Sequence, residues 1–573
     1  MKRLVLLLIV AALGAAAIVY GLRYAVRTTP VEIGTLLPRG TVLLLQLPSF
    51  SRARDDWHSS DLYQLYKEPA VQDFLGKPLS QVPGQDVASQ TLREVEQLDP
   101  KDAFVAVIGI ENNNPRFAAG FRFRGSQPDA EKIIGRWRAS LVRDPSVRET
   151  NEYERHNIEI VGAEPNRIAT VYDGSWFLAS NDLPELKAIL DRVDERAKDR
   201  EATLAADKEF RAAIAHMPSS YAFLFYLQPK VFAERVASLQ GAMGQQAFPA
   251  QQKALAQLRS VCATTRFERG KIHDVVFAGM PQSSPANSLT RSSVQLGTAD
   301  TFFYLANLLN FENLGAADQT AAATPIGGWF KKVYDVTARA GITLEDWKTA
   351  FEAESGSLAD WPEDAHWPSL VVTVPVKDPV RANKIVKTLM TAIDEDASWK
   401  SIEKEGVSYF SMQSAASLLA MSPTIALSKQ RLVAGLDPAS VEVAMKRATG
   451  TQKATSALVN SSEYKNAASS LPTPTTFFAY IDTKLFYSRL DAAVRPILLM
   501  TSAFMPAISE HVDANKLPAP EIVIRHLSPI VCSQYYDHDG YVAESIGPVT
   551  FNQAAVGLAL PIIAWVTAHE RGR

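Results

Sequence analysis

Residues that carry chemistry are scarce in this chain of 573 residues. It has two cysteines and nine histidines, with no Cys-x-x-Cys and no His-Glu-x-x-His. That excludes the common structural-zinc and zinc-protease patterns. It lacks a Gly-x-Ser-x-Gly nucleophile elbow, a phosphate-cradling Gly-rich loop ending in Lys-Ser/Thr, and a dinucleotide fingerprint. Positive charge is not in excess. The net charge is −3 and the basic runs are as short as Arg52-Ala53-Arg54 and Arg571-Gly572-Arg573. Nothing here replaces phosphate counterions over a surface, so nucleic acid is not expected as a partner. No cofactor and no metal are expected.

What is present is a repeat. Asp207-Lys208-Glu209-Phe210 precedes Met217-Pro218 and the apolar run Tyr221 to Leu227. Ser462-Glu463-Tyr464 precedes Leu471-Pro472 and Thr476 to Ile481. The separations 464 − 210 and 472 − 218 both equal 254. A period of this length signals a duplicated domain rather than a short solenoid repeat. The cysteines repeat too, as Val261-Cys262 and Val531-Cys532, each followed by a hairpin-like segment, Glu268-Arg269-Gly270 and His538-Asp539-Gly540. Duplication accounts for the pair without redox chemistry, and a disulfide between Cys262 and Cys532 stays open.

Apolar residues make up 47% and charged residues 21%, ordinary for a folded chain. The expected fold class is α+β, with two tandem modules of largely antiparallel sheet carrying helices on one face. Copy 1 spans 36–280 and copy 2 spans 297–548. A Pro/Ser-rich linker, 281–296, joins them. Each copy opens on a strand, Gly40–Leu45 or Asp300–Leu305. Each then runs from a strand through a proline turn (Pro128, Pro379) into a helix. Gly315–Thr324 and Glu352–Trp367 have no evident counterpart and are expected to be copy-specific loops.

The ends are apolar. Lys2-Arg3 precedes Leu4–Leu22, 19 residues without a charge. The stretch 1–25 is expected to be a transmembrane helix, with a cleaved signal segment as the alternative. Either exports the rest. Val549–Ala568 is uncharged as well, so 549–573 is a candidate second membrane helix or a buried closing helix. The expected location is a membrane, with the bulk of the chain extracytoplasmic.

Catalytic candidates are weak. Ser462-Glu463-Tyr464-Lys465 and Ser401-Ile402-Glu403-Lys404 fit Ser-x-x-Lys, a pattern common by chance. His538 lies between Asp537 and Asp539, where a hairpin turn is the simpler reading. Asp394-Glu395-Asp396 and Asp191/Asp194/Glu195 read as solvated helix ends. Arg136-Trp137-Arg138 reads as a snorkelling helix face. No catalytic, cofactor-binding or metal-binding residue is assigned.

The opening of copy 1 carries a resemblance. Leu37-Pro38-Arg39-Gly40-Thr41, Leu47-Pro48 and Glu68-Pro69-Ala70-Val71-Gln72-Asp73-Phe74-Leu75 resemble an uncharacterised family of exported, membrane-anchored bacterial envelope proteins. The likeness covers 36–75 and departs at Arg39-Gly40, where that family has Ala-Asp. It implies an envelope location and no catalytic residues. The expected function is an extracytoplasmic binding or scaffold protein that is not an enzyme. Its expected partners are the lipid bilayer and a membrane protein complex of which it is an accessory subunit. A carrier of a lipid or other apolar ligand is the alternative, and a hydrolase a lesser one.

Overall fold

The computed structural model describes residues 32–81, 85–111, 114–142, 147–162, 167–197, 200–232, 257–282, 288–309, 335–393, 398–413, 422–452, 456–504 and 513–554. Two compact units emerge. One is Met1–Pro281 with His538–Val542, the other Gln282–Asp537 with Ala543–Arg573.

In the first unit, β1 (Leu43–Ser49) lies between β2 (Lys101–Glu111) and β8 (Phe223–Leu227). β2 pairs with β3 (Asn114–Arg122), and β3 with β7 (Trp176–Ser180). From β7 the sheet runs to β6 (Ile168–Asp173), β5 (His156–Val161) and β4 (Arg148–Tyr153). On the other side β8 pairs with β9 (Ser260–Glu268), and β9 with β10 (Lys271–Gly279). Every pair is antiparallel. Period-two burial drives the strands: in β1, Leu44 is buried while Leu43 and Leu45 are half-exposed. Side-chain caps start the helices. Ser126, Asp182 and Asp207 each accept an amide hydrogen from the first turn that follows.

The second unit repeats this connectivity. β11 (Thr301–Leu308) lies between β12 (Glu354–Asp360) and β18 (Phe477–Ile481). β12 leads through β13 (Ser369–Pro375) to β17 (Arg431–Gly435), β16 (Thr424–Leu427), β15 (Val407–Gln413) and β14 (Ser398–Lys404). β18 pairs with β19 (Ile530–Asp537), which turns into β20 (Gly540–Gly547). A repeated aromatic pair sits beneath both sheets. Phe210 meets Tyr226 edge-on at 4.9 Å, and Tyr464 meets Tyr480 edge-on at 5.2 Å.

Four expectations change. First, helices cover both faces of the sheet, not one. In the second unit Val371, Ala426 and Val433 pack with the Pro438–Ala448 helix through Val441 and Met445. Val374, Leu427 and Leu432, neighbours of opposite parity, pack with the Pro379–Ile393 helix through Ile385 and Val386. Strands apolar on both faces need two covers. Second, Glu352–Trp367 is not a loop insertion, because it contains β12, hydrogen-bonded on both edges. Its acids had obscured the strand pattern. Third, 288–296 is not linker. Leu289, Val294 and Leu296 are buried in the second core. Fourth, no helix among the described residues is long and apolar enough to cross a membrane. The described fold therefore gives no support to the expected transmembrane helix. Residues 1–25 lie outside the described residues, as do Gly315–Thr324 and positions 555–573.

Both thiols are free and buried. Burial pushes each up to about 12. A thiol reagent is expected to modify neither Cys262 nor Cys532 in the folded chain and both in denaturant. Rapid modification of folded protein would contradict this packing.

Candidate functional site

The residues singled out from sequence do not converge. Ser462 and Lys465 are exposed on the short Ser462–Ala468 helix, whose purpose is to bury Tyr464. Ser401 is exposed on β14, and Lys404 donates to Glu442 Oε1 at 2.6 Å. His538 occupies a hairpin turn with φ of 43°. Residues 394–396 lie outside the described residues.

Among the described residues one cluster does form, in the first copy. His156 opens β5, Asp173 closes β6, and Asp194 ends the Leu183–Val193 helix. His156 Nε2 lies 2.9 Å from Asp194 Oδ2, and Nδ1 lies 4.0 Å from Asp173 Oδ1. The His156 and Asp194 side chains are buried. One ligand atom from each of the three falls within 4.8 Å of the others, a donor set a divalent cation could use. Two guanidiniums already claim it. Arg155 bonds Asp194, and Arg196 Nη2 donates to Asp194 Oδ2 and Asp191 Oδ1, both at 2.9 Å. A cation would have to displace both arginines, so the arrangement works as an ion network rather than a metal cage.

The other copy shows what the network is for. The positions of His156, Asp173 and Asp194 are held there by Val407, Ser428 and Thr449. Around them the tie between hairpin and helix persists with its charges exchanged. Tyr153 Oη bonds Asp191 at 3.0 Å beneath the Lys187 ammonium. Lys404 and Lys446 clasp Glu442 at 2.6 and 2.8 Å. The job is mechanical: each set pins the outer hairpin to the following helix.

Burial alone would push the Asp194 carboxyl up, but the bond and charge of His156 and the charges of Arg155 and Arg196 hold it below the ordinary value. A depressed carboxyl stabilises the fold above its unfolded-state value, and that stability is lost as pH falls through the folded value. Asp194→Asn is therefore expected to lower the melting temperature at pH 7. The gap to the parent should close as pH falls below the ordinary carboxylate range. A gap unchanged at acid pH would refute the assignment.

Sequence reading missed Arg192 and Arg447. Arg192 Nη1 donates to the Leu36 carbonyl at 2.8 Å, and Arg447 Nη1 to the Leu296 carbonyl at 2.9 Å. Each fastens the turn before the first strand of its unit. The signal was available, since 447 − 192 is 255, one residue from the repeat period.

Arg136-Trp137-Arg138 is a set of clamps rather than a snorkelling face. Arg136 and the Trp137 indole donate to Glu94 at 2.8 and 2.6 Å. Burial raises the Glu94 carboxyl, but bonds from Gln90, Trp137 and Arg136 outweigh it and leave it lowered. Arg138, buried, bonds Glu131 at 2.5 Å, Glu159 at 2.9 Å and the Thr170 hydroxyl at 2.8 Å.

A cleft of about 190 Å³ opens beside Arg52, Asp56, Tyr221, Arg266 and Glu268. Burial raises the Asp56 carboxyl despite Arg52 at 3.8 Å. A second, lined by Tyr66, Gln72 and Leu79, holds about 220 Å³.

No family model matches the chain, and no curated protein matches it. Three crystal forms of one solved protein, TP0453, align with part of it. Form III shows 8% identity over 45% of this chain and 82% of that one, with a TM-score of 0.23. Form IV gives 9%, 44%, 81% and 0.22. Form I gives 8%, 46%, 82% and 0.22. Likeness at this level carries no argument about function.

Proposed function

We propose that this chain is an exported binding or scaffold protein of the bacterial envelope, acting through its surfaces rather than by catalysis. One observation carries the reading. The polar clusters described above are saturated by their own counter-charges, and each ties a hairpin, helix or turn to the sheet. A catalytic constellation instead leaves a nucleophile or base free to face a substrate cavity. Export rests on Lys2-Arg3 and the apolar run after it. An accessory-subunit role at a membrane complex fits two duplicated scaffolds. The carrier alternative gains no support from the two clefts, which are shallow, partly polar and below the ~300 Å³ at which ligand pockets begin.

Native mass spectrometry of the full chain extracted from envelopes tests the reading. The expected result is a stoichiometric complex. A chain that always runs alone overturns the scaffold role. A turnover abolished by His156→Ala would overturn its non-enzymatic part.

A further inference from the structure

The helix Thr483–Phe504 ends in a run of exposed apolar side chains. It spans 22 residues, and none of its described side chains is buried. At 1.5 Å per residue it is about 33 Å long. Its arginines are tied down within its own unit. Arg495 Nη2 donates to Asp491 at 2.6 Å and to the Pro518 carbonyl at 2.7 Å, and Nη1 reaches the Leu517 carbonyl at 3.4 Å. Arg489 is held by the Trp361 carbonyl at 3.2 Å. The side left outward is apolar. In its last turns Pro496, Ile497, Leu499, Met500 and Phe504 are exposed and fall within about 160° of the circumference at 100° per residue. Exposure is greatest at the end, 60% at Met500 and 80% at Phe504 against 46% at Ile497 and 40% at Leu499.

We propose that this face rests on a lipid surface, entering it by its C-terminal end. Three features select lipid over protein. The strip from Pro496 to Phe504 measures about 14 by 10 Å, or roughly 140 Å², well short of the ~800 Å² per partner that a stable dimer or complex buries. From Pro496 to Phe504 it offers no charged side chain, so it lacks the polar rim of a protein interface. Phe, Ile, Leu and Met on one side of a helix are the composition that settles at the boundary between headgroups and acyl chains. At the N-terminal end, the buried Trp361 packs its ring near Phe486, and the loop it begins carries Trp367, 65% exposed. An exposed indole suits the same boundary. The proposal goes beyond the binding role above, and its failure leaves that role standing.

The buried native thiols make a clean test possible. Met500→Cys in the full chain is labelled with an environment-sensitive fluorophore, with Lys484→Cys on the polar side as the comparison. On adding phosphatidylcholine vesicles, the label at 500 is expected to shift to the blue and to be quenched by a doxyl-labelled lipid. The label at 484 should not respond, and adding Phe504→Glu should abolish the response at 500. These exposed substitutions leave the core intact, which circular dichroism checks. An unshifted label at 500 while the chain floats with the vesicles overturns the proposal. So does a blue shift without vesicles that grows with protein concentration, because a second copy would then be the occupant.

Discussion

Glu354→Ala is expected to destabilise the second unit by about 4 kcal/mol, within the range for stripping one partner from a buried charged network. The Glu354 carboxylate, buried at the start of β12, accepts five hydrogen bonds. Oε2 takes the Thr290 amide at 2.6 Å, the Thr290 hydroxyl at 2.7 Å and the Arg291 amide at 3.1 Å. Oε1 takes the Ser292 amide at 2.7 Å and its hydroxyl at 3.1 Å. The wrap is tight enough to put Arg291 at φ 58°, the left-handed region. Arg431 Nη2 closes the ring by donating to the Ser292 hydroxyl at 2.9 Å. Alanine would leave three backbone amides and the Arg431 guanidinium facing a void. Glutamine should recover only part of the loss, since its amino group would meet donors. Denaturant unfolding of the second unit's transition reads the effect, and hydrogen exchange should show the 288–296 amides opening first. A loss below about 1 kcal/mol would mean that the carboxylate is replaceable by water.

Arg138→Met should cost the first unit about 3 kcal/mol, the low end for a broken buried pair because Glu131 and Glu159 keep partial contact with solvent. Methionine fills much of the volume but leaves two carboxylates beside one another and the Thr170 hydroxyl without its donor. The Tyr172 hydroxyl, which donates to Glu131 at 2.7 Å, would then carry that carboxylate's interaction alone within this cluster. Lysine should not rescue fully, since one ammonium cannot fork to two acids and a hydroxyl. The unfolding midpoint of the first unit is the measurement, and a Met variant as stable as the parent would show the network to be ornamental.

These two sites show where sequence reading stops. Strand positions, proline turns and helix starts were readable, because alternation, caps and prolines act within a few residues. The strand expected before the Pro379 turn is β13, and the helix expected after it is Pro379–Ile393. The clamps were not readable. Arg138 and Thr170 are 32 residues apart, Glu354 and Ser292 are 62, and Arg447 and Leu296 are 151. No local pattern encodes such pairs. Composition also misled. The acids of 352–367 suggested a loop, yet Glu354 is spent on the segment before β11 and Asp360 on Arg447 at 3.1 Å. Pro and Ser at 281–288 suggested that linker ran on to 296, yet 290–292 form the cradle for that same carboxylate.

The helix at 483–504 divides the same way. Its existence follows from an amphipathic run opened by Thr483 and expected to end at Leu499, which the structure carries on to Phe504. Which side faces out was decided by the Arg495 bonds to a segment more than twenty residues later, and that choice exposes the apolar side.

By itself the sequence determined that the chain is duplicated, that each copy alternates strands with helices, and that familiar catalytic and cofactor motifs are missing. Those are properties of short windows and of one window compared with another. The tertiary structure alone decided which charges neutralise one another, which face of each strand is covered, and that the copy-specific histidine cluster is a fastening. Burial and electrostatic pairing depend on distances in space, and those are set only when remote segments pack.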